Sequence, residues 1–330
     1  MSVNTEPKEP PMTRLGYQIP SFTYPGVGPD RLFSEVARQA REAEAGGFDT
    51  VMVMDHFYQL PMIGPPENNM LECYTLLAGL ARETSTVRLS SLVTGNTYRN
   101  PAILAKIITT LDVVSEGRAQ LGIGAGWFEL EHSAFGIEFG TFTDRFEKLD
   151  EALQIIIPML NGDRPTLDGR WYSVHEAINE PPPVGRIPVM IGGAGERKTL
   201  KFVARYADDS NLICPITDIQ RKLAVLDEHC GAEHRDRSTI TVTRQQSVCI
   251  APTHDEALAE LDAMLTSRGL SGADLEAARA NVVHGSPDDV AEQMAGQLEL
   301  GLDGFTVNAV ANCHVPGRVE LLGQTLADLI

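Results

Sequence analysis

The sequence predicts an α/β protein with the (β/α)8 architecture of a TIM barrel, extended by insertion segments. Three observations support this fold class. Eight short apolar segments alternate with longer segments of helical period, several apolar segments lack the polar alternation of a half-exposed strand, and 330 residues suit a barrel of this type. A doubly wound parallel sheet is the alternative that the same alternation allows.

The predicted strands and helices follow one another regularly along the chain. The strands are LGYQI (15–19), TVMVM (50–54), VRLSSLV (87–93), AQLGIG (119–124), PVMIG (188–192), SNLI (210–213), TVTRQQSVCI (241–250) and GFTVNAV (304–310). Helices are predicted near 30–45, 69–83, 101–115, 143–160, 196–207, 217–229, 254–267, 287–300 and 318–330. Thr253 with Glu256, and Ser286 before Pro287, form patterns typical of helix starts.

The domain organisation is predicted to be simple. Residues 1–13 are expected to form a flexible N-terminal tail, and residues 14–330 a single domain. Segment 161–187 contains proline, glycine and a WYSV fragment without a helical period, so we interpret it as an insertion, of which a hairpin is one form. Such an insertion either shapes a pocket or elaborates the surface.

Composition limits the classes of function. The formal net charge of −18 argues against nucleic acid and anionic membranes as partners. No apolar stretch approaches the length of a membrane span, and the N-terminus lacks the apolar middle of a signal peptide. The five cysteines are scattered and odd in number, which predicts neither a metal site nor a disulfide framework. We therefore expect a cytoplasmic protein that acts on a small-molecule substrate.

The strand at 50–54 ends on two adjacent titratable residues, Asp55 and His56. A strand buried on both faces has no solvated side for a charge, so the pair is expected at the mouth of the barrel, where such folds place their chemistry. A turn with an aspartate helix cap and a histidine at the edge of the core is the structural alternative.

The strand at 188–192 runs into a glycine turn, Gly193-Ala194-Gly195, followed by Glu196 and a predicted helix. Arg197 then falls in the first helical turn, where the helix dipole makes positive charge unfavourable. Glycine amides at a helix start bind phosphate, so the segment predicts an anion site. A solvated basic face is the alternative reading.

Polar residues also follow the third and fourth strands. Ser91 and Thr94 supply hydroxyl groups at the same barrel face as Asp55 and His56. After the fourth strand come Glu129, Glu131 and His132, and we expect the last two to be solvated residues at a helix start. Their spacing does not match a zinc site.

Four sequence blocks carry a resemblance to a known family. VMVMDHF, VTGNTYRNPAILAK, LDVVSEGRAQLGIGAGWFELEHSAFG and PVMIGGAGERKTLKFVARYAD resemble the bacterial luciferase-like monooxygenase superfamily, and more narrowly its branch that uses the deazaflavin coenzyme F420. The resemblance covers about residues 14–310. It implies a (β/α)8 barrel with insertions and coenzyme F420 as cofactor, with FMN as the alternative, and we expect a homodimer.

The resemblance also implies roles for particular residues. His56 is expected near the reactive ring and Asp55 in the cofactor site. Ser91-Leu92 matches a bulge in the third strand that often contains a non-proline cis peptide, and Gly193 to Glu196 match the phosphate-binding turn. Arg197 is then expected to offset the phosphate charge.

One position departs from the pattern of the family. The deazaflavin-dependent sugar-phosphate dehydrogenases have a glutamate after the G-x-G of the fourth strand, whereas this chain has Trp127, so sugar-phosphate oxidation is not expected. Glu129 is the nearest carboxylate that could partly replace that proton donor, although a shift of two positions points a side chain elsewhere.

The predicted function is hydride transfer between C5 of the deazaflavin and a small organic substrate, with His56 transferring a proton. An FMN-dependent monooxygenase and a non-catalytic deazaflavin-binding protein are the alternatives.

Overall fold

The computed structural model describes residues 12–330, which form a barrel of parallel strands surrounded by helices. The strands are β1 (Leu15–Ile19), β2 (Thr50–Val53), β3 (Arg88–Ser91), β4 (Thr94–Gly95), β5 (Ala119–Gly124), β6 (Leu167–Asp168), β7 (Ser173–Val174), β8 (Val189–Gly192), β9 (Asp209–Leu212), β10 (Thr241–Ile250), β11 (Val283–Gly285) and β12 (Gly304–Asn308). The α-helices are α1 (Pro29–Ala45), α2 (Cys73–Glu83), α3 (Pro101–Val114), α4 (Glu129–Phe135), α5 (Phe142–Leu160), α6 (Thr199–Tyr206), α7 (Ile219–Ala232), α8 (His254–Ser267), α9 (Gly272–Arg279), α10 (Pro287–Leu298) and α11 (Arg318–Ala327).

Eight of the strands close the barrel in the order β1, β2, β3, β5, β8, β9, β10, β12, and β12 pairs with β1 again. Every pairing in this ring is parallel. The (β/α)8 prediction is therefore confirmed, and each of the eight predicted strands is present with ends shifted by a few residues at most. Helices cover the outer face, so strands such as β1, β2 and β5 are buried along their whole length.

Local sequence explains how these elements pack. Helix α1 buries Leu32, Val36, Ala40 and Ala43, whose spacing of three or four residues places them on one face. Helix α3 begins where the side chain of Asn100 accepts a hydrogen bond from the amide of Ala102, at 3.0 Å. A cap of this kind stabilises a helix by about 1 kcal/mol.

The third barrel strand is interrupted where the sequence predicted an irregularity. Strand β3 stops at Ser91, and the chain pairs with β5 again only at β4. The cis peptide joins Leu92 and Val93, so the predicted position at Ser91-Leu92 was wrong by one residue. The Ser91 hydroxyl donates to the carbonyl of Gly122 at 2.8 Å and accepts from the amide of Thr94 at 3.1 Å, which holds Ser91 in the sheet and places the bend after it.

Several further segments differ from the sequence expectation or add detail. Helix α6 begins at Thr199, so the prediction that Arg197 lies in its first turn was wrong. The 161–187 insertion contains the antiparallel hairpin of β6 and β7, as expected. Helix α9 and strand β11 were not predicted, and α4 begins at Glu129, two residues before the helix start expected at Glu131. Together α8, α9 and β11 form a second excursion, in which β11 pairs with the end of β10.

A buried polar cluster lies at the amino-terminal ends of the barrel strands. The Thr13 hydroxyl is within hydrogen-bonding distance of the Thr50 hydroxyl, at 3.0 Å, and donates to Gln120 at 3.2 Å. Gln120 in turn donates to Asp209, and burial raises the pKa of Asp209 to about 8. Thr13 was included in the predicted tail but is fully buried. Residues 1–11, the rest of that tail, lie outside the described residues.

Within residues 12–330, none of the helices combines the length and the apolar character that crossing a membrane requires.

Candidate active site

A cavity of about 1110 Å³ opens at the carboxyl ends of the barrel strands. Its walls include Asp55, His56, Leu92, Thr94 and Gly193, all of which the sequence predicted as site residues. Ligand cavities commonly have volumes of this order and lie at this face of the barrel. A second cavity, of about 850 Å³, adjoins the first and shares several lining residues with it.

His56 is held by a buried carboxylate. Its Nδ1 lies 2.9 Å from Oε2 of Glu131, whose side chain is fully buried. The same carboxylate accepts hydrogen bonds from the amides of Phe57 and Tyr58 and from the hydroxyl of Tyr98. The expectation that Glu131 is solvated was therefore wrong. Its negative charge is balanced by donors that lie 33 to 75 positions away, which the local sequence does not reveal.

These contacts fix the charge and the orientation of the pair. Burial alone would favour the neutral acid, but the hydrogen bond and charge of His56, with the donors of Tyr98 and Tyr58, hold the pKa of Glu131 below its usual range. Burial and the adjacent Glu131 raise the pKa of the Tyr98 hydroxyl, so it remains a donor. An ionised partner at Nδ1 favours the tautomer with its proton on Nδ1. The unprotonated Nε2 is then the nitrogen available for proton exchange.

His132, the residue after Glu131, has a structural role, because both of its ring nitrogens are hydrogen-bonded within the protein. It is fully buried, its Nδ1 donates to the carbonyl of Phe128 at 2.8 Å, and its Nε2 accepts from the Thr97 hydroxyl at 2.7 Å. The expectation that it is solvated was also wrong, because α4 turns this side of the helix toward the barrel. Across residues 12–330, no group of three or more potential ligand side chains is arranged to hold a metal ion.

Asp55 forms a bidentate ion pair with Arg99. The two guanidinium nitrogens lie 2.7 and 3.0 Å from the carboxylate oxygens, and the amide of Gly95 donates to the same carboxylate at 3.1 Å. Burial raises the pKa of Asp55, and the charge of Arg99 opposes that rise. Arg99 also pairs with Glu72 on the other side. Asp55 therefore links the end of β2 to β4 and the segment after it. Both of its carboxylate oxygens already have partners in the protein.

The glycine turn after β8 is only partly at the cavity. Gly192 and Gly193 line it, and the φ angle of Gly193 is +119°, a conformation that favours glycine. A Cβ atom on Gly192 would lie 2.8 Å from a methyl of Val93. Ala194 and Gly195 are not among the lining residues. Glu196 pairs with Lys222 on α7 at 2.8 Å, and also with Arg221 on the same helix.

The two arginines near this turn differ in position. Arg197 is exposed and does not line the cavity. Arg145 on α5, which the sequence analysis did not single out, lines the cavity and is nine-tenths buried. It donates to the carbonyls of Gly126 and Gly140, both at 3.0 Å, and packs over the ring of Phe139. Among the residues described, no carboxylate oxygen comes within 4 Å of its guanidinium nitrogens.

Arg145 is thus a cation at the cavity wall without a direct salt-bridge partner, and the carboxylates of Glu129 and Asp144 act on its charge only from beyond 4 Å. Burial lowers the pKa of Arg145, which an arginine tolerates without losing its proton. Its Nε and Nη1 make the two hydrogen bonds to backbone carbonyls, and Nη2 takes part in neither. The group is suited to contact an anion inside the cavity.

Trp127 and Glu129 lie on different sides of the segment after β5. Trp127 lines the cavity, and its ring centre lies 5.8 Å from that of His56 in an edge-to-face arrangement. Glu129 is exposed and is not among the lining residues, so its role in proton transfer stays a prediction. Ser91 is buried, and its hydroxyl group is bonded to the carbonyl of Gly122 as described above. Its contact with a cofactor likewise stays a prediction.

Sequence comparison finds clear relatives. The sequence model of a family described as luciferase-like monooxygenase matches residues 13–304. An F420-dependent glucose-6-phosphate dehydrogenase of Microbacterium testaceum is 30% identical over 249 residues, which are 74% of this chain and 70% of the relative. A protein of the same description from Intrasporangium calvum is 27% identical, with 97% of this chain and 98% of the relative covered.

Solved structures share the fold at lower identity. The coenzyme F420-dependent tetrahydromethanopterin reductase of Methanopyrus kandleri aligns with a TM-score of 0.76 and 19% identity, over 96% of this chain and 99% of that chain. An F420-dependent secondary alcohol dehydrogenase in complex with an F420–acetone adduct gives 0.78 and 18%, with the same coverage. The oxygenating component of a diketocamphane monooxygenase from Pseudomonas putida, in complex with FMN, gives 0.75 and 20%, over 96% of this chain and 98% of that chain.

Proposed function

The chain belongs to the luciferase-like monooxygenase family, and on this basis we propose that it is a coenzyme F420-dependent oxidoreductase that transfers a hydride between C5 of the deazaflavin and a small organic substrate. In this proposal His56 transfers the accompanying proton. The observation that carries it is the contact between His56, which lines the cavity, and the buried carboxylate of Glu131, 2.9 Å apart. The description of the curated relatives as F420-dependent supports the cofactor assignment.

The residues at the cavity fit an elongated cofactor with an anionic end. Gly192 and Gly193 line one side of the cavity, and Gly192 packs so closely on Val93 that a side chain would not fit there. Arg145 provides positive charge at the wall without a direct salt bridge to a protein carboxylate. Leu92 and Val93 offer an apolar surface between this region and His56, against which a flat ring can pack. We infer that Arg145 and the Gly192–Gly193 turn hold the anionic part, with Arg197 as the residue that the sequence favoured for the same role.

Coenzyme F420, when bound, supplies the hydride chemistry at C5. The protein then has to move one proton: an alcohol that is oxidised to a carbonyl loses a hydride from carbon and a proton from its hydroxyl group. His56 accepts that proton at Nε2, and in the reverse direction it returns the proton to the carbonyl oxygen. Glu131 stabilises the imidazolium that forms, because its carboxylate is ionised and hydrogen-bonded to Nδ1.

Parallel titrations with F420 and FMN test the cofactor assignment. Binding is followed by quenching of tryptophan fluorescence, since Trp127 lies in the cavity wall, and Trp171→Phe removes the signal of the other tryptophan. We expect F420 to bind at least about tenfold more tightly than FMN, which corresponds to about 1.4 kcal/mol. Tighter binding of FMN, with oxygen consumption when the flavin is reduced, would favour the monooxygenase alternative. Binding of F420 without turnover of any substrate would favour the non-catalytic one.

A further inference from the structure

The order of strands divides the cavity into two halves. Strands β2, β3, β5 and β8 are consecutive in the ring and carry His56, Leu92 and Gly193, which the proposed function assigns to the cofactor. Strands β9, β10, β12 and β1 are consecutive on the other side. Together with the excursion of α8 and α9 they line what we call the distal half of the cavity.

We propose, resting on the function proposed above, that the distal half binds a neutral, largely apolar substrate that carries one hydroxyl or carbonyl oxygen. The alternative suggested by the names of the curated relatives is an anionic sugar phosphate. Three properties of the distal half distinguish the two substrate classes: its walls, its floor and its charge.

The walls of the distal half are apolar. Met264, Leu270 and Val282 line it from the α8–α9 excursion, and Ile213 lines it at the end of β9. Exposed apolar side chains also concentrate around the cavity, because Ile213, Met62, Trp127 and Phe142 are each more than half exposed and each line it. Exposed apolar surface of this kind is typical of binding sites for apolar ligands.

The floor of the distal half consists of uncharged amides. Oε1 of Gln18 accepts hydrogen bonds from Gln245, at 2.5 Å, and from Nδ2 of Asn308, at 3.2 Å. Asn308 is more than nine-tenths buried, and its Oδ1 has no hydrogen-bond partner within residues 12–330. Gln18, Gln245 and Asn308 all line the cavity, so a ligand oxygen placed beside them can exchange hydrogen bonds with their amide groups. A hydroxyl group can donate to an amide oxygen, and the amide NH2 groups can donate to a carbonyl oxygen.

Positive charge is scarce in the distal half. Among its described lining residues Arg268 is the one that carries a charge, and it is exposed at the rim, where it donates to the carbonyl of Met62 at 3.0 Å. A phosphate dianion is usually held by several charge-assisted hydrogen bonds. The floor offers neutral amides instead, and Trp127 occupies the wall next to His56.

The test compares two probes and two matched variants. Turnover of cyclohexanol and of glucose 6-phosphate is measured with F420, and calorimetric titration measures binding of cyclohexanone and of glucose 6-phosphate with and without cofactor. Ile213→Asp places a charge in the distal half. Ile216→Asp places the same charge three residues away, on an exposed side chain that does not line the cavity. Both positions are exposed, so neither variant should unfold the protein.

We expect kcat/KM for cyclohexanol to exceed that for glucose 6-phosphate by at least about tenfold, and Ile213→Asp to lower it by about tenfold or more, in line with the discrimination of apolar pockets. Ile216→Asp should leave it unchanged, and the affinity for F420 should be the same in all forms. Equal or better turnover of glucose 6-phosphate, or an unchanged value in Ile213→Asp, would overturn the substrate assignment.

The cofactor assignment can fail separately. If F420 does not bind, the proposed function is wrong, while binding of cyclohexanone that is lost in Ile213→Asp still supports an apolar site. Absence of cyclohexanone binding under both conditions, with or without F420, overturns the inference.

Discussion

Replacing Glu131 by glutamine is expected to lower kcat by about 10²–10⁴-fold while cofactor binding is retained. The wild-type carboxylate accepts hydrogen bonds from His56, Tyr98 and the amides of Phe57 and Tyr58. Glutamine has nearly the same size but only one acceptor oxygen. If that oxygen stays with the two backbone amides, its NH2 group faces Nδ1 of His56 and the Tyr98 hydroxyl, and cannot accept from either.

The size of the effect follows from two losses. A hydrogen bond to a charged group contributes about 1.5–3 kcal/mol, so without the carboxylate the imidazolium of His56 is less stable by a factor of about 10 to 200. In addition, an NH2 group next to Nδ1 favours the tautomer with the proton on Nε2, which removes the base from the cavity side. Tautomer reversal of this kind can cost about 10⁴-fold in other histidine–carboxylate pairs.

Steady-state kinetics across pH, followed by the absorbance of the oxidised cofactor, measure this effect. Loss of kcat with an unchanged affinity for F420 is the expected pattern, and circular dichroism checks the fold. Glu129→Gln is the matched comparison, because Glu129 is an exposed carboxylate two residues earlier for which the sequence predicted a proton-transfer role. If Glu131→Gln turns over at the wild-type rate, or Glu129→Gln loses as much activity, the assignment of Glu131 as the partner of His56 is refuted.

Three further predictions concern other parts of the molecule. His56→Ala should bind F420 normally and lose about 10²–10⁴-fold in turnover, whereas near-normal turnover would contradict its role. Arg145→Gln should weaken F420 binding by about tenfold or more in a fluorescence titration at low salt, and Arg197→Gln should weaken it less; the reverse order would favour the residue chosen from sequence. Because the folded-state pKa of Asp209 is raised from 3.8 to about 8, the wild-type protein should lose stability as pH rises between these values, by at most about 1.4 kcal/mol per pH unit. Urea unfolding at about pH 5.5 and 7.5 should show a smaller loss for Asp209→Asn, and equal losses in the two proteins would rule out this source of pH dependence.

The barrel could be predicted from sequence because its signals are local. Each barrel strand is a short stretch between helices of regular period, and burial on both faces leaves an unbroken apolar run such as that of Val51 to Met54. Helix α9 was missed for the opposite reason. It buries none of its residues fully, and only Leu275 and Ala278 pack on a core cluster, so the sequence of 272–279 carries a weak apolar face.

Residues of the site could be predicted only where a functional side chain lies close to the end of a strand in the sequence. His56 and Gly193 follow the ends of β2 and β8, Thr94 begins β4, and all three line the cavity. Glu131 and Arg145 lie on helices, and their roles depend on partners brought near by the barrel. An acidic residue in the first turn of a helix is ordinarily solvated. Glu131 instead accepts hydrogen bonds from the amides of residues 57 and 58, and the sequence carries no signal for these contacts.

The division of the cavity also has a consequence for how such enzymes diverge. Strands β2 to β8, which carry the proposed redox residues, are encoded before residue 193, and β9 to β12 with the α8–α9 excursion are encoded after residue 208. Gln18 and the loop at 60–63 are the contributions to the substrate side from the earlier part. A single recombination event between residues 193 and 208 could therefore exchange most of the proposed substrate surface while the proposed cofactor-binding residues are inherited intact. Chimeras joined there should keep the cofactor of one parent and acquire much of the substrate range of the other.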